Sequence, residues 1–207
     1  MFKDRKEAGK LLAEKLAAYR GKNALVLALP RGGVVTGYEV AKALNLPLDI
    51  VSVRKIGHPT APEYAICAVD ERGTRLCNED AILGIDEKWL AEETERQTLE
   101  ALRRSRAYRE KRAPLEMGGA TAILVDDGAA TGLTMRAAIA AVRTRGARKV
   151  VVAVPVASED AERDFRREAD EVVILEPAGE FGSAVGAHYV EFAQVKDKEV
   201  IKLLQSL

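Results

Sequence analysis

The stretch "ATAILVDDGAATGLTM", residues 120–135, decides how the rest of the chain reads. An apolar run stops at two adjacent carboxylates, Asp126 and Asp127. Three small residues follow, Gly128, Ala129 and Ala130, then Thr131, Gly132 and Thr134, and then an alanine-rich helical stretch that ends at Gly146. A strand, a small-residue loop and a helix in that order make an anion cradle. Backbone N–H groups and the positive helix end attract the anion, and small side chains let the backbone approach it. Carboxylates would repel a phosphate, so the two acids serve another part of the ligand. Ionised carboxylates only accept hydrogen bonds, which makes vicinal sugar hydroxyls their natural partner. A divalent cation is the other candidate for Asp126 and Asp127. A ligand with a phosphate at one end and a diol in the middle is a phosphorylated ribose. Neither a GxxxxGK loop nor a GxGxxG after the first strand is present, so the two common nucleotide loops are excluded.

Strand and helix signals alternate on both sides of this stretch. "NALVLALP" (23–30) reads as a buried strand, 34–44 as a helix and "PLDIVSVRKI" (47–56) as a second strand. After the strand at 121–126 and its helix come a strand at 148–157, a helix capped by Ser158 and a strand at 170–175. Strands this continuously apolar are covered on both faces, which predicts an α/β fold: a doubly wound, mainly parallel sheet between helix layers. Ligands of such sheets bind beyond the carboxyl ends of the strands. "PRGG", "RKIGHP" and "DDGAATG" therefore fall on one edge. Residues 4–19 predict an amphipathic helix with Asp4 and Glu7 as a capping box, and a last helix starts near Asp197. "GHPTAPE" (57–63) reads as a loop, and 64–77 as a hairpin turned at Arg72-Gly73. A long polar helix runs from a cap at Asp86 to about Arg112, with Trp89, Leu90, Leu99, Leu102 and Tyr108 as its apolar contacts.

The 207 residues predict one domain. Lys+Arg and Asp+Glu both number 32, so no net field draws the protein to nucleic acid or to an anionic membrane. No segment approaches the ~18 apolar residues of a membrane span, and the N-terminus lacks the apolar core of a signal peptide. The expected location is cytoplasmic. Cys67 and Cys77 are the only cysteines, at a spacing that matches no common metal or redox motif, and are read as small buried hydrophobes.

The segment 123–135 resembles the phosphoribosyl-pyrophosphate motif of type I phosphoribosyltransferases. That motif is an apolar strand, two acids, three or four small residues, Thr-Gly and a helix. The resemblance covers about residues 20–175. It implies that Asp126 and Asp127 hold the ribose hydroxyls, and that Gly128, Ala129, Ala130, Thr131, Gly132 and Thr134 hold the 5-phosphate. "ALPRGG" is similar to the family's pyrophosphate loop, with Arg31, Gly32 and Gly33 on the pyrophosphate and Arg31–Gly32 as a candidate cis bond. "VRKIGHPTAPEY" is similar to the mobile catalytic loop of adenine phosphoribosyltransferases. There Arg54 and Lys55 would offset charge on the leaving group, and Glu63 would serve the base. The resemblance also implies Mg²⁺, a nitrogenous acceptor, a homodimer with residues 86–112 as a contact, and a hood built from 86–112, 176–207 or both. In enzymes acting on 6-oxopurines the position of Ala130 carries an aspartate, so such acceptors are disfavoured here. The alternative is a non-catalytic sensor of phosphoribosyl pyrophosphate or nucleotides. The balanced charge disfavours it, because such a regulator needs a nucleic-acid surface.

Overall fold

The computed structural model describes residues 1–110, 112–177 and 184–207. In chain order the elements are α1 (Arg5–Lys15), β1 (Ala24–Ala28), α2 (Gly32–Leu44), β2 (Leu48–Ile50), β3 (Val53–His58), β4 (Ala61–Asp70) and β5 (Arg75–Cys77). They continue with α3 (Glu87–Arg109), β6 (Thr121–Val125), α4 (Leu133–Thr144), β7 (Lys149–Ala157), α5 (Glu159–Glu168), β8 (Glu171–Pro177) and α6 (Asp197–Gln205).

Five strands form a parallel sheet in the order β2-β1-β6-β7-β8. Their side chains alternate between two cores. Val26, Ile123 and Val151 pack with Leu12, Leu16, Val34, Val40, Leu44 and Val200, under α1, α2 and α6. Leu27, Leu124 and Val152 pack with Met135, Ile139, Val142, Ala161 and Phe165, under α4 and α5. Both faces are buried, which is why these strands read as unbroken apolar runs. From β1 the chain crosses through α2 to β2 on one side, and from β6 it crosses through α4 and α5 to the other. The β1/β6 boundary is therefore the topological switch point, where such sheets bind ligands.

The predicted strand at 47–56 divides into β2 and β3, which lie in different sheets. The chain leaves the parallel sheet at Ser52, whose N–H donates to Glu71 Oε2 at 2.9 Å. The predicted loop at 57–63 is largely an antiparallel hairpin of β3 and β4. Gly57 pairs with Ala65 and His58 with Ala61, so Pro62, Glu63 and Tyr64 bulge outward. A Cβ on Gly57 would lie 2.0 Å from the Pro62 carbonyl oxygen, so only glycine admits that bulge. The hairpin to β5 turns where expected, with Gly73 at φ 87°. Asp70 Oδ1 accepts the N–H groups of Arg72 at 2.9 Å and Thr74 at 2.7 Å.

The reading of Cys67 and Cys77 as separate buried hydrophobes is corrected. They face each other across β4 and β5, with Cα atoms 4.0 Å apart, and form a disulfide. Hairpin register brings them opposite, and a spacing of ten residues does not announce it.

Asp86 caps α3 by accepting the Trp89 N–H at 2.7 Å, as expected. The apolar face differs: Leu99 is 59% exposed, and the buried face uses Leu90, Ala101 and Tyr108 with the polar Gln97, Ser105 and Arg109. Arg109 binds Asp49 Oδ1 at 2.7 Å, Glu71 Oε1 at 3.3 Å and the Ile50 carbonyl at 2.7 Å. It ties α3 to the end of β2 and to the β4–β5 turn. Among the described residues α3 covers the small sheet, while Val185 from the C-terminal segment reaches the sheet edge at the switch point. Part of the expected hood at 176–207, namely residues 178–183, lies outside the described residues.

Candidate active site

A cleft of about 200 Å³ opens beyond the carboxyl end of β6, lined by Asp126, the loop Gly128–Gly132, Thr134 and Lys55. Its loop is pinned from behind. The Ala129 N–H donates to the Val156 carbonyl at 3.0 Å, and the Ser158 N–H donates to the Ala129 carbonyl at 2.9 Å. Ser158 Oγ donates to the Ala130 carbonyl at 2.6 Å and also caps α5. Gly132 begins α4 at φ 70°, where an added Cβ would lie 3.0 Å from Phe165 Cε1 and 3.1 Å from Ala161 Cβ. The loop thus needs glycine there both for its conformation and for contact with α5.

The first turn of a helix leaves N–H groups without an intrahelical acceptor. In α1, α3 and α5 a side chain of Asp4, Asp86 or Ser158 accepts one of them. No side chain caps α2, α4 or α6, and the first two of these start at the switch point. Bare donors and two positive helix ends therefore converge on this edge.

The acids stand at the same point. The Asp127 N–H donates to Asp126 Oδ1 at 2.8 Å. Burial, and then the charge of Asp127, push the Asp126 carboxyl well above the ordinary carboxylate range, while Arg5 pulls it down. Arg5 Nε donates to Asp127 Oδ2 at 2.6 Å, and Tyr189 Oη donates to the Asp127 carbonyl at 2.6 Å. Gly32 and Gly33 have a steric role here. A Cβ on Gly32 would lie 1.9 Å from Asp127 Oδ2, and one on Gly33 would lie 2.7 Å from Asp126 Oδ1. The glycines of "PRGG" let α2 start against the acidic pair.

The remaining expected residues are divided among several places. The cis bond is Pro30–Arg31, one bond before the expected Arg31–Gly32. Arg31 sits at the start of α2, half-exposed, with Nη1 3.4 Å from Asp197 Oδ1. Lys55 reaches the cleft, whereas Arg54 does not. Successive side chains of a strand point to opposite faces, and Arg54 lies against α3 with Nε 3.1 Å from Gln97 Oε1. Burial, and then Arg104, lower its guanidinium pKa. Glu63 is exposed on the β4 bulge, outside the cleft lining.

Arg5, Tyr189 and Val185 were not legible as site residues. One signal existed: Arg5 and Lys6 open α1, where the helix dipole disfavours cations. Among the described residues no group of three or more His, Cys, Asp or Glu could hold a metal, and no helix is long and apolar enough to cross a membrane. Two carboxylates suit Mg²⁺ only when ligand phosphates complete its shell, which is how Mg²⁺ is usually held.

A family model described as a phosphoribosyl transferase domain matches residues 3–191. Proteins of Mycobacterium tuberculosis named "Putative phosphoribosyl transferase" are 43% identical over 206 residues, covering 99% of this chain and 46% of their own length. The chain thus spans less than half the length of the curated relatives it matches. The crystal structure of TT1426 from Thermus thermophilus is similar throughout, with a TM-score of 0.85, 43% identity, and coverage of 100% of this chain and 98% of that one. A Neisseria gonorrhoeae protein solved with bound ppGpp shares the fold at a TM-score of 0.53 and 14% identity, over 100% of this chain and 98% of its own. The family match takes in both ends of the clasp that Arg5 and Tyr189 close around Asp127. The chain belongs to the phosphoribosyl transferase domain family.

Proposed function

We propose that this chain transfers a phosphoribosyl group from phosphoribosyl pyrophosphate to a nitrogen of a nucleobase-like acceptor, with Mg²⁺, and releases pyrophosphate. The observation that carries this reading is one juxtaposition. The acidic pair Asp126–Asp127 adjoins the uncapped start of α4, across a cleft that also holds Lys55. A phosphate seated over Gly128–Gly132 leaves the attached ribose beside the acids. Its hydroxyls are the donors that carboxylates accept.

Displacement at the anomeric carbon passes through an oxocarbenium-like transition state, as in glycoside chemistry. The ribose must be held while the bond to the leaving group loosens, which is work for Asp126, Asp127 and the phosphate loop. The leaving pyrophosphate gathers negative charge. In this reading Lys55 from the cleft wall, Arg31 and the uncapped end of α2 neutralise that charge. Bound Mg²⁺, held by Asp126 or Asp127 together with the ligand's phosphates, supplies further neutralisation. Glu63 acts on the acceptor in this reading, which requires the bulged hairpin of β3 and β4 to close over the cleft and exclude water. Arg54 then acts at most through the same movement. Ala130 offers no carboxylate, so acceptors other than 6-oxopurines are favoured.

The test is incubation with phosphoribosyl pyrophosphate, Mg²⁺ and a panel of bases, following pyrophosphate release, beside calorimetry of the donor alone. Release with one acceptor, other than hypoxanthine or guanine, is the expected result. Binding without release under any acceptor would move the chain to the sensor class. Absence of binding to folded protein would refute the site.

A further inference from the structure

We propose that Arg5 is a positioning residue for the acidic motif: it fixes Asp127 so that one carboxylate oxygen stays on the protein and the other is presented to the ribose diol. This rests on the reading that Asp126 and Asp127 meet the ribose.

Arg5 is held on three sides. Its Nε donates to Asp127 Oδ2 at 2.6 Å, its Nη1 donates to the Ala193 carbonyl at 2.8 Å, and its guanidinium lies 3.7 Å from the centre of the Phe192 ring. Arg5 and Asp127 are only 11% and 15% exposed, so the pair works in a poorly solvated place where charge-assisted bonds are strong. The plate beneath it continues through Tyr189, whose ring centre is 4.9 Å from that of Phe192 and 5.5 Å from that of Phe2. Tyr189 Oη in turn holds the backbone of Asp127. Both ends of the chain thus converge on one aspartate.

Two further facts separate this from an incidental surface pair. A Cβ on Gly32 would lie 1.9 Å from Asp127 Oδ2 and 2.9 Å from Arg5 Nε, so the start of α2 is left open where the two groups meet. Arg5 also opens α1, where the helix dipole works against a cation. Arg5 engages Oδ2 of Asp127 and leaves Oδ1 without an arginine contact. A free, rotating carboxylate would lose rotamer entropy on meeting a diol. A clamped one has already lost it.

The test separates a role through Asp127 from a general loss of structure. Affinity for ribose 5-phosphate and for inorganic phosphate is measured on the wild type, Arg5→Met, Asp127→Asn, the double variant and Phe192→Leu, with thermal melts alongside. Phosphate reports the anion-binding groups without the diol, and ribose 5-phosphate adds the diol. Arg5→Met should weaken ribose 5-phosphate by roughly tenfold or more, the scale of one charged hydrogen bond, and leave phosphate within about twofold. The double variant should bind ribose 5-phosphate no more weakly than Asp127→Asn alone, because the two residues act as one. Phe192→Leu removes the plate under Arg5 at a part-exposed position. It should show the same split in smaller measure, and it carries the test if Arg5→Met does not fold. Wild-type affinity for ribose 5-phosphate in Arg5→Met, or in Phe192→Leu should Arg5→Met not fold, overturns the proposal. Equal losses of both ligands, or multiplicative losses in the double variant, overturn it too. Failure of the wild type to bind ribose 5-phosphate removes the ribose reading itself, and this proposal with it.

Discussion

Arg109→Met tests how the small sheet that carries Lys55 is fastened to the parallel sheet. Arg109, Asp49 and Glu71 are all nearly inaccessible, at 6%, 4% and 7% side-chain exposure. Each carboxylate uses both oxygens. Asp49 accepts from Arg109 at 2.7 Å and from the Leu115 N–H at 2.9 Å. Glu71 accepts from Arg109 at 3.3 Å and from the Ser52 N–H at 2.9 Å. Methionine keeps most of the volume and leaves two acids without their cation. Breaking a buried pair in this way costs about 3–5 kcal/mol. For a chain of this size each kcal/mol lowers Tm by about 2–4 °C, so a fall of roughly 6–20 °C is expected. Urea denaturation followed by circular dichroism should show the same loss as a lower midpoint with the same slope. The triple variant Asp49→Asn/Glu71→Gln/Arg109→Met, which has no charge left to strand, should recover most of it. If Arg109→Met melts within about 2 °C of the wild type, the reasoning fails.

Burial raises the Glu71 carboxyl pKa even against Arg109. A raised carboxyl pKa gives stability that is present at acid pH and lost as pH climbs through the folded value, so the Tm gap between wild type and Glu71→Gln should move in the variant's favour from about pH 4 to about pH 7. Gly132→Ala and Gly146→Ala both force alanine to positive φ, at 70° and 83°, but only position 132 is crowded, by Phe165 and Ala161. Both should cost about 1–2 kcal/mol in strain; only Gly132→Ala should lose more than this and weaken phosphate binding, and equal effects in the two would show that the α5 contact is slack. Glu63→Gln should lower turnover by about 10²–10⁴ with donor affinity little changed, whereas Asp127→Asn should weaken the donor by roughly ten- to a hundredfold. Normal turnover by Glu63→Gln would leave Glu63 as a surface residue of the bulge. A homodimer through α3, which the family resemblance implies, would bury Leu99, 59% exposed in this chain, and a monomeric mass by light scattering would overturn it.

The sequence by itself determined what depends on near neighbours. Continuous apolar runs specified a sheet buried on both faces, because nothing polar interrupts Val26–Leu29 or Ile123–Val125. Asp4, Asp86 and Ser158 announced three helix starts, since a cap bonds within its own turn. The acids, the small residues and the helix of 126–144 are contiguous, so their common edge was readable before any contact was known. Tertiary structure decided whatever is set by register or by distant chain. Pairing of β4 with β5 joined Cys67 to Cys77, and alternation along β3 sent Lys55 to the cleft and Arg54 to α3. Gly32 and Gly33 were read as freeing backbone N–H groups for an anion, and the fold also uses their missing side chains to seat the acids. Arg5 meets Asp127 across 122 residues, and Tyr189 meets it across 62. Only the packing of both termini against α2 brings them there, because a side chain's partner at that separation is chosen by the global chain path and leaves no periodic mark on the sequence around it.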